Sequence, residues 1–505
     1  MIGLSDIKQH LSFWAGPAIG LLILFAFDLN PDRPETTATL AVAAIMAVWW
    51  VTEAIPLAVT SLLPVILFPI LGIMDGKTVS SIYFNHVIFL FIGGFIVALA
   101  MQKWNLHRRI AMKILMLTGT SQARLLLGFM LATAFLSMWI SNTATTMMMV
   151  PILISVIAEL EAHDPKSQKR SYASGLLLGV AYSASIGGMM TLVGTPPNLS
   201  FTRIYQIMFP EAPEISFADW LLFALPAGLV LFLFAWGYLY FRYRNKEAGE
   251  QIASSQLRKE YKKLGPISVE EKIILIDFIL LAVLWITRSD IGIGRFIIPG
   301  WSNIFKHPEF INDGTVAVAM SVLLFMIPSK SNKKQRLMDW QTAKKLPWGI
   351  VLLFGGGFAL AGGFKESGLS IWMGEQLVFI ADFHPIIIIA CIALFMTFTT
   401  ELTSNTATTE MILPVLAGLA VASETHPLLF MLPATMSASM AFMLPVATPP
   451  NAIIFGTNRI KIKEMVRTGL VMNLMGTLVI TMTVYFIARL VFGIDLDVFP
   501  EWARQ

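Results

Sequence analysis

The chain has 505 residues, 56% of them hydrophobic and 13% charged, with a formal net charge of +4. A soluble domain carries about 25% charged residues, so this composition excludes an ordinary water-facing surface and reads as a polytopic protein of the lipid bilayer. A single cysteine permits no disulfide within the chain, and seven histidines show no metal-ligand spacing. Gly355-Gly356-Gly357 lacks the lysine of a nucleotide loop, which argues against nucleotide-driven transport.

Crossing the apolar core takes about 20 residues of helix. The sequence predicts a first span near 11–28, retained because Met1 to His10 lacks the basic region of a cleaved signal. Apolar segments follow near 37–52, 58–73 and 86–102, then a long one at 123–158 with a polar interruption. Spans near 172–192 and 218–241 precede a charged stretch, 242–271, read as a cytosolic linker. The second half offers 272–288, 313–328 and 347–362, a second interrupted segment at 384–422, then 428–454 and 467–493. Cys391 stands in an apolar run and is expected to pack as a small hydrophobe.

Basic residues set the expected orientation. Arg242, Arg244, Lys246, Arg258, Lys259, Lys262 and Lys263 crowd one loop, where Glu247, Glu250 and Glu260 accompany them. Lys330, Lys333, Lys334, Arg336, Lys344 and Lys345 crowd a second, and Arg459, Lys461, Lys463 and Arg467 a third. Placing all three inside puts 289–312 outside, together with a tail holding Asp495, Asp497 and Glu501. The N-terminus is then cytoplasmic and the C-terminus external.

Ser141-Asn142-Thr143-Ala144-Thr145-Thr146 recurs letter for letter at Ser404-Asn405-Thr406-Ala407-Thr408-Thr409, 263 residues later. Thr195-Pro196-Pro197-Asn198 recurs at Thr448-Pro449-Pro450-Asn451 with an offset of 253. Order is kept, so the chain reads as duplicated, and the inside placement of the basic loops gives the halves opposite orientations. Paired interruptions of hydrophobic segments are the best sequence pointer to a transporter's binding site.

Serine, asparagine and threonine compete with the helical backbone for hydrogen bonds. The segments 123–158 and 384–422 are therefore expected to enter the membrane as helical hairpins that turn at the polar tips. Such irregular backbone survives only when buried in protein or facing a wet cavity. Consecutive prolines are expected to unwind a span and free the carbonyls of Gly194 and Ala447. The following half-helix would aim its positive dipole end at an anion. Carbonyl and amide oxygens suit Na+, whereas hydroxyl and N–H groups suit carboxylate oxygens. The motifs contain no His, Asp or Glu to carry protons and no Lys or Arg to neutralise an anion, so Na+ is the expected coupling ion. Of the intramembrane acids, Glu53, Asp277, Glu401 and Glu410 remain open between ion binding and a paired structural role.

With these two motif pairs the sequence resembles the divalent anion/sodium symporter family, over nearly its whole length. The resemblance implies an all-α, inverted-repeat secondary transporter with about eleven spans, two re-entrant hairpins and a homodimeric assembly. It also implies scaffold helices in 1–122 and 272–383, and a mobile transport domain from 123–241 and 384–505. A first Na+ site would use Ser137, Ser141, Asn142 and Gly194, and a second Thr400, Thr403, Asn405 and Ala447. Substrate carboxylates would meet Ser141-Asn142-Thr143 and Ser404-Asn405-Thr406, with Thr195, Thr448 and Pro449 lining the same cavity.

The expected activity is Na+-coupled uptake of a C4-dicarboxylate such as succinate, malate or fumarate across the cytoplasmic membrane. Two polar tips suit a ligand with a carboxylate at each end. Tricarboxylate, sulfate or exchange chemistry stands as the alternative, and an anion channel behind it. Neither an enzyme nor a nucleic-acid partner is expected.

Overall fold

The computed structural model describes residues 4–119, 121–162, 169–244, 252–293, 296–332, 334–496 and 498–504. Lys246, Glu247, Glu250, Lys333 and Asp497 lie outside the described residues.

The first half begins with α1 (Leu4–Ala26), α2 (Pro34–Thr52), the short helices α3 (Leu57–Thr60), α4 (Leu63–Ile70) and α5 (Gly76–Ile82), then α6 (His86–Lys103) and α7 (Leu106–Thr118). Then come α8 (Gln122–Ser137), α9 (Asn142–Ala162), α10 (Lys169–Met189), α11 (Pro196–Met208) and α12 (Phe217–Tyr243). A surface helix, α13 (Ile252–Lys263), leads to α14 (Val269–Ile286). A small antiparallel hairpin, β1 (Ile291–Ile293) with β2 (Phe296–Ile298), precedes α15 (Asp313–Met326), α16 (Trp340–Ala343), α17 (Trp348–Glu366) and α18 (Leu369–Gln376). The chain ends with α19 (Pro385–Thr399), α20 (Asn405–Ala422), α21 (Leu428–Ser437), α22 (Pro449–Phe455) and α23 (Ile462–Met482), which runs through a π-helical turn into α24 (Arg489–Val491).

Among the described residues, seven helices are long and apolar enough to cross a membrane. The protein is thus an all-α polytopic membrane protein, with β1 and β2 as a minor ornament. Gln122–Ser137 and Pro385–Thr399, the first arms of the two interrupted segments, fall short of that length.

Lipid is as apolar as a leucine side chain, so helices here associate through close packing and polar contacts rather than by escaping water. The crossing of α18 on α20 illustrates this. A Cβ at Gly418 would lie 1.8 Å from the Ser370 carbonyl oxygen, and one at Gly374 would lie 2.3 Å from the Gly418 carbonyl oxygen. Only glycine permits that approach. A second cluster gathers Val42, Met46, Trp50, Phe68, Val79 and Phe364 from α2, α4, α5 and α17. Serine N-caps with acidic partners three residues on start α12 (Ser216, Asp219) and α14 (Ser268, Glu271).

Cys391 departs from expectation: it is exposed on α19 rather than packed. A hydrophobic run specifies an apolar surround, and lipid satisfies that as well as protein does.

The C-terminal tail folds back on the bundle, where Trp502 meets Tyr205, Phe209 and His426 edge-on. His426, in the loop before α21, is 8% exposed, and its Nδ1 accepts from the Leu428 N–H. Burial pushes its imidazole down to about 4. An unfolded histidine titrates near 6.5, so between these values the unfolded chain binds more protons. Stability is therefore expected to fall as pH drops from 6.5 towards about 4, by about 3 kcal/mol at full titration. Thermal denaturation of detergent-solubilised protein at several pH values should show this loss, and His426→Leu should flatten it.

Candidate functional site

The two polar repeats begin at matching breaks between helices, 138–141 and 400–404, and from Asn142 and Asn405 onward they form the first turns of α9 and α20. In the first, α8 ends at Ser137, whose hydroxyl donates to Asn142 Oδ1 at 2.5 Å. In the second, the Thr400 hydroxyl lies 2.5 Å from Asn405 Oδ1 and 2.9 Å from the Ala438 carbonyl oxygen, with one proton to serve both. One turn on, Thr146 and Thr409 each donate to the backbone carbonyl of their asparagine at 2.8 Å. Residues 263 apart thus share the same local bonds. Each asparagine Oδ1 accepts one hydrogen bond and keeps a lone pair free for a further donor or a cation.

Both proline motifs mark a second kind of break, but the prolines do not unwind a helix. Pro196 and Pro449 open α11 and α22, where a missing N–H costs nothing. The breaks are held by the asparagine that follows. Asn198 Nδ2 donates to the carbonyls of Thr191 at 2.7 Å, Met189 at 3.3 Å and Gly188 at 3.5 Å, seven, nine and ten residues back. Asn451 Nδ2 donates to Leu444 and Ala441, again seven and ten back, at 3.0 Å each. Thr448 caps α22 by accepting from the Asn451 N–H, whereas the Thr195 hydroxyl makes no cap bond. The second gap, 438–448, is longer than the first, 190–195, and α22 has only 7 residues.

Each tip meets the break of its own half. The Thr191 hydroxyl donates to the Met138 carbonyl. A Cβ on Gly188 would lie 2.4 Å from Asn142 Oδ1, and one on Gly194 would lie 2.4 Å from the Gly188 carbonyl oxygen. The structure therefore gathers Ser137, Asn142, Gly188 and Gly194 at one point. At the other, Thr400 and Asn405 are joined directly, and Thr403 shares a hydrogen bond with Thr408. The halves interlock reciprocally: α9 packs on α22, and α20 packs on α11. Ser141, Asn142, Thr143, Thr403, Ser404 and Asn405 are half-buried, and Pro449 is exposed. Ser137, Gly194, Thr195, Thr400, Thr406, Ala447 and Thr448 are buried.

The acidic residues divide. Glu53 is exposed and ends α2 with a left-handed backbone, φ 49. Asp277 is buried within α14, not at its surface end. Glu410 is fully buried on α20, where its Oε1 accepts from the Ser200 hydroxyl of α11 at 3.0 Å. Glu401 accepts from the backbone N–H groups of Met443 and Leu444, tying tip to break. Sequence reasoning gave Asn198, Asn451, Gly188 and Thr191 no role. The asparagines were visible as the invariant last letter of a repeated motif, whereas nothing marked Gly188 or Thr191.

Broken helices with uncharged oxygens and N–H groups at paired polar ends define a membrane transport protein. Residues 14–493 match the family described as the sodium:sulfate symporter transmembrane region, and the chain belongs to that family. The sodium-dependent dicarboxylate transporter SdcS of Staphylococcus saprophyticus is 45% identical over 97% of this chain and 95% of that protein. SdcS of Staphylococcus aureus is 44% identical over 98% of this chain and 95% of its own length. Among solved structures, MtrF of Neisseria gonorrhoeae, described with a class of antimetabolite efflux pumps, aligns with a TM-score of 0.53 at 12% identity over 82% of each chain. The YdaH transporter of Alcanivorax borkumensis aligns with 0.53 at 12% identity, over 81% of this chain and 86% of that one. At such identity the likeness speaks to the fold alone.

Proposed function

We propose that this protein is a Na+-coupled symporter of C4-dicarboxylates in the cytoplasmic membrane, working by alternating access. The observation that carries the reading is the pair of tips with the same internal hydrogen bonds, each set against a stapled helix break. The relatives named as sodium-dependent dicarboxylate transporters, 44–45% identical over nearly the whole chain, support the choice of ions.

In this reading Asn142 Oδ1, with Ser137, Ser141 and the Gly194 carbonyl, holds one Na+. Asn405, with Thr400, Thr403 and the Ala447 carbonyl, holds another. Hydroxyl and N–H groups of Ser141-Asn142-Thr143 and Ser404-Asn405-Thr406 take the two carboxylates, and Thr195, Thr448 and Pro449 line the space between. A dianion surrounded by neutral donors is costly within a membrane. Bound Na+ offsets that charge, so loading of cation and anion is linked.

The interrupted segments 123–158 and 384–422 act as re-entrant hairpins, and the reciprocal packing of α9 on α22 and α20 on α11 supports an inverted repeat. Transport-domain parts 123–241 and 384–505 then move against scaffold helices in 1–122 and 272–383, within about eleven spans. Basic loops face the cytoplasm with the N-terminus, the C-terminus lies outside, and two copies pair as a homodimer.

Purified protein in proteoliposomes should accumulate radiolabelled succinate when an inward Na+ gradient is imposed and fail to do so with K+. Uptake indifferent to Na+ would defeat the proposal. The family description names sulfate, so competition by sulfate and citrate in the same assay reads the anion preference directly.

A further inference from the structure

Glu401 lies between Thr400 and Thr403 and is 3% exposed. Its Oε1 accepts from the Met443 N–H and from Asn473 Nδ2, each at 2.8 Å, and its Oε2 accepts from the Leu444 N–H at 2.9 Å. Asn473, on α23, also accepts from the Phe442 N–H through Oδ1 at 3.3 Å. Residues 442–444 of the break are thereby pinned to the second tip and to α23. All three partners of Glu401 are donors and both of its oxygens accept, which is the bonding of a carboxylate rather than a carboxylic acid.

Among the described residues, no Lys, Arg or His forms an ion pair with Glu401. A buried carboxylate with donors but no cation is only partly compensated. The first half lacks this charge. The position 263 residues earlier is Met138, and its link to the break is the uncharged bond from the Thr191 hydroxyl. Two tips with the same internal bonding therefore differ by one formal charge.

We propose that Glu401 is a positioning residue that makes the two Na+ sites unequal, supplying the second site with a standing counter-charge and clamping residues 443–444 so that the Ala447 carbonyl is kept at that ion. It does not coordinate the ion. Its two oxygens are already engaged by Met443, Leu444 and Asn473, and the second site fills at lower Na+ than the first. The inference rests on the Na+ reading above.

The test reads Na+ binding without transport. Thermal stabilisation of purified protein is measured against Na+ concentration, at constant ionic strength with K+. Glu401→Gln should raise the half-saturating Na+ about 10–100-fold, as loss of an outer-shell partner does. The double variant Glu401→Gln/Asn473→Asp returns the charge to the same cluster with one hydrogen bond fewer, because a carboxamide has a single acceptor oxygen for the Met443 and Leu444 N–H groups, and it should recover most of the loss. A Glu401→Gln protein that saturates like wild type would overturn the proposal. So would a double variant no better than the single one, which marks a steric clamp only. If Glu401→Gln does not fold, the double variant is compared with wild type alone: similar saturation supports the proposal, and a tenfold rise overturns it. Wild-type protein unmoved by Na+ would remove the Na+ reading itself, a result distinct from failure in the variants.

Discussion

Na+-driven succinate uptake is expected to fall about 10–100-fold in Gly188→Ala and in Gly194→Ala, the range seen when the surroundings of an ion site are disturbed. A Cβ on Gly188 would sit 2.4 Å from Asn142 Oδ1 and 3.0 Å from Nδ2, so the amide must swing away. That motion breaks the bond from Ser137 and displaces both the amide oxygen proposed to hold the ion and the amide N–H proposed to meet the substrate. At Gly194 the obstacle is backbone: the new carbon meets the Gly188 carbonyl oxygen at 2.4 Å and its Cα at 2.9 Å. No rotamer relieves such a contact. Gly237→Ala on α12 is the control, because nothing lies within 4 Å of its added carbon. Initial uptake rates, corrected for the amount of protein in the membrane, give the comparison. Normal uptake by Gly188→Ala would separate the tip–break contact from transport.

Arg109→Ala is expected to destabilise the fold by about 3–5 kcal/mol, the usual result of stripping one partner from a buried ion pair. Arg109 on α7 grips Glu271 on α14 with two nitrogens, Nε to Oε1 at 2.7 Å and Nη2 to Oε2 at 3.1 Å. It also donates to the carbonyls of Leu264, Gly265 and Pro266, which ties down the turn after α13. Both side chains are 5% exposed, so water cannot replace what is lost. Glu271 has a second task as the acidic partner of the α14 cap, and an unpaired carboxylate there would weaken that helix start as well. Reversible denaturation in mixed micelles measures the difference. Arg109→Leu/Glu271→Leu, which leaves no orphaned charge, should cost less than either single change.

Much of this architecture could be read before any coordinates. The seven helices long enough to cross a membrane all fall on apolar segments read from hydropathy, because helix length and bilayer thickness are linked, whereas 58–73 and 428–454 are each split into shorter helices. Breaks near the two polar repeats followed because polar side chains interrupt an otherwise apolar run, although the structure puts them at 138–141 and 400–404, and 142–146 and 405–409 are the first turns of α9 and α20. What escaped was contact between distant segments. Hydropathy fixes that Cys391 has apolar neighbours without saying whether they are lipid or protein. Proline chemistry correctly marked 196 and 449, yet a proline suits the first helical position as well as a kink. Its neighbours Asn198 and Asn451 proved to hold the breaks. The short helices α7 and α18 were invisible for a plainer reason: neither is long enough to announce itself as a span. The Asn473 partner of Glu401 is 72 residues away, and no local pattern points to it.

The reciprocal seating of α9 against α22 and of α20 against α11 carries an implication for the gene. Each proposed ion site draws its residues from one half, yet the arm behind each tip leans on a helix encoded far away, so neither portion of the polypeptide is expected to hold its site in shape alone. A coding sequence severed between α12 and α13 should yield two inert fragments that regain activity only when made together in the same cell. An ancestral single-unit version would have had to find that missing shoulder in a second molecule.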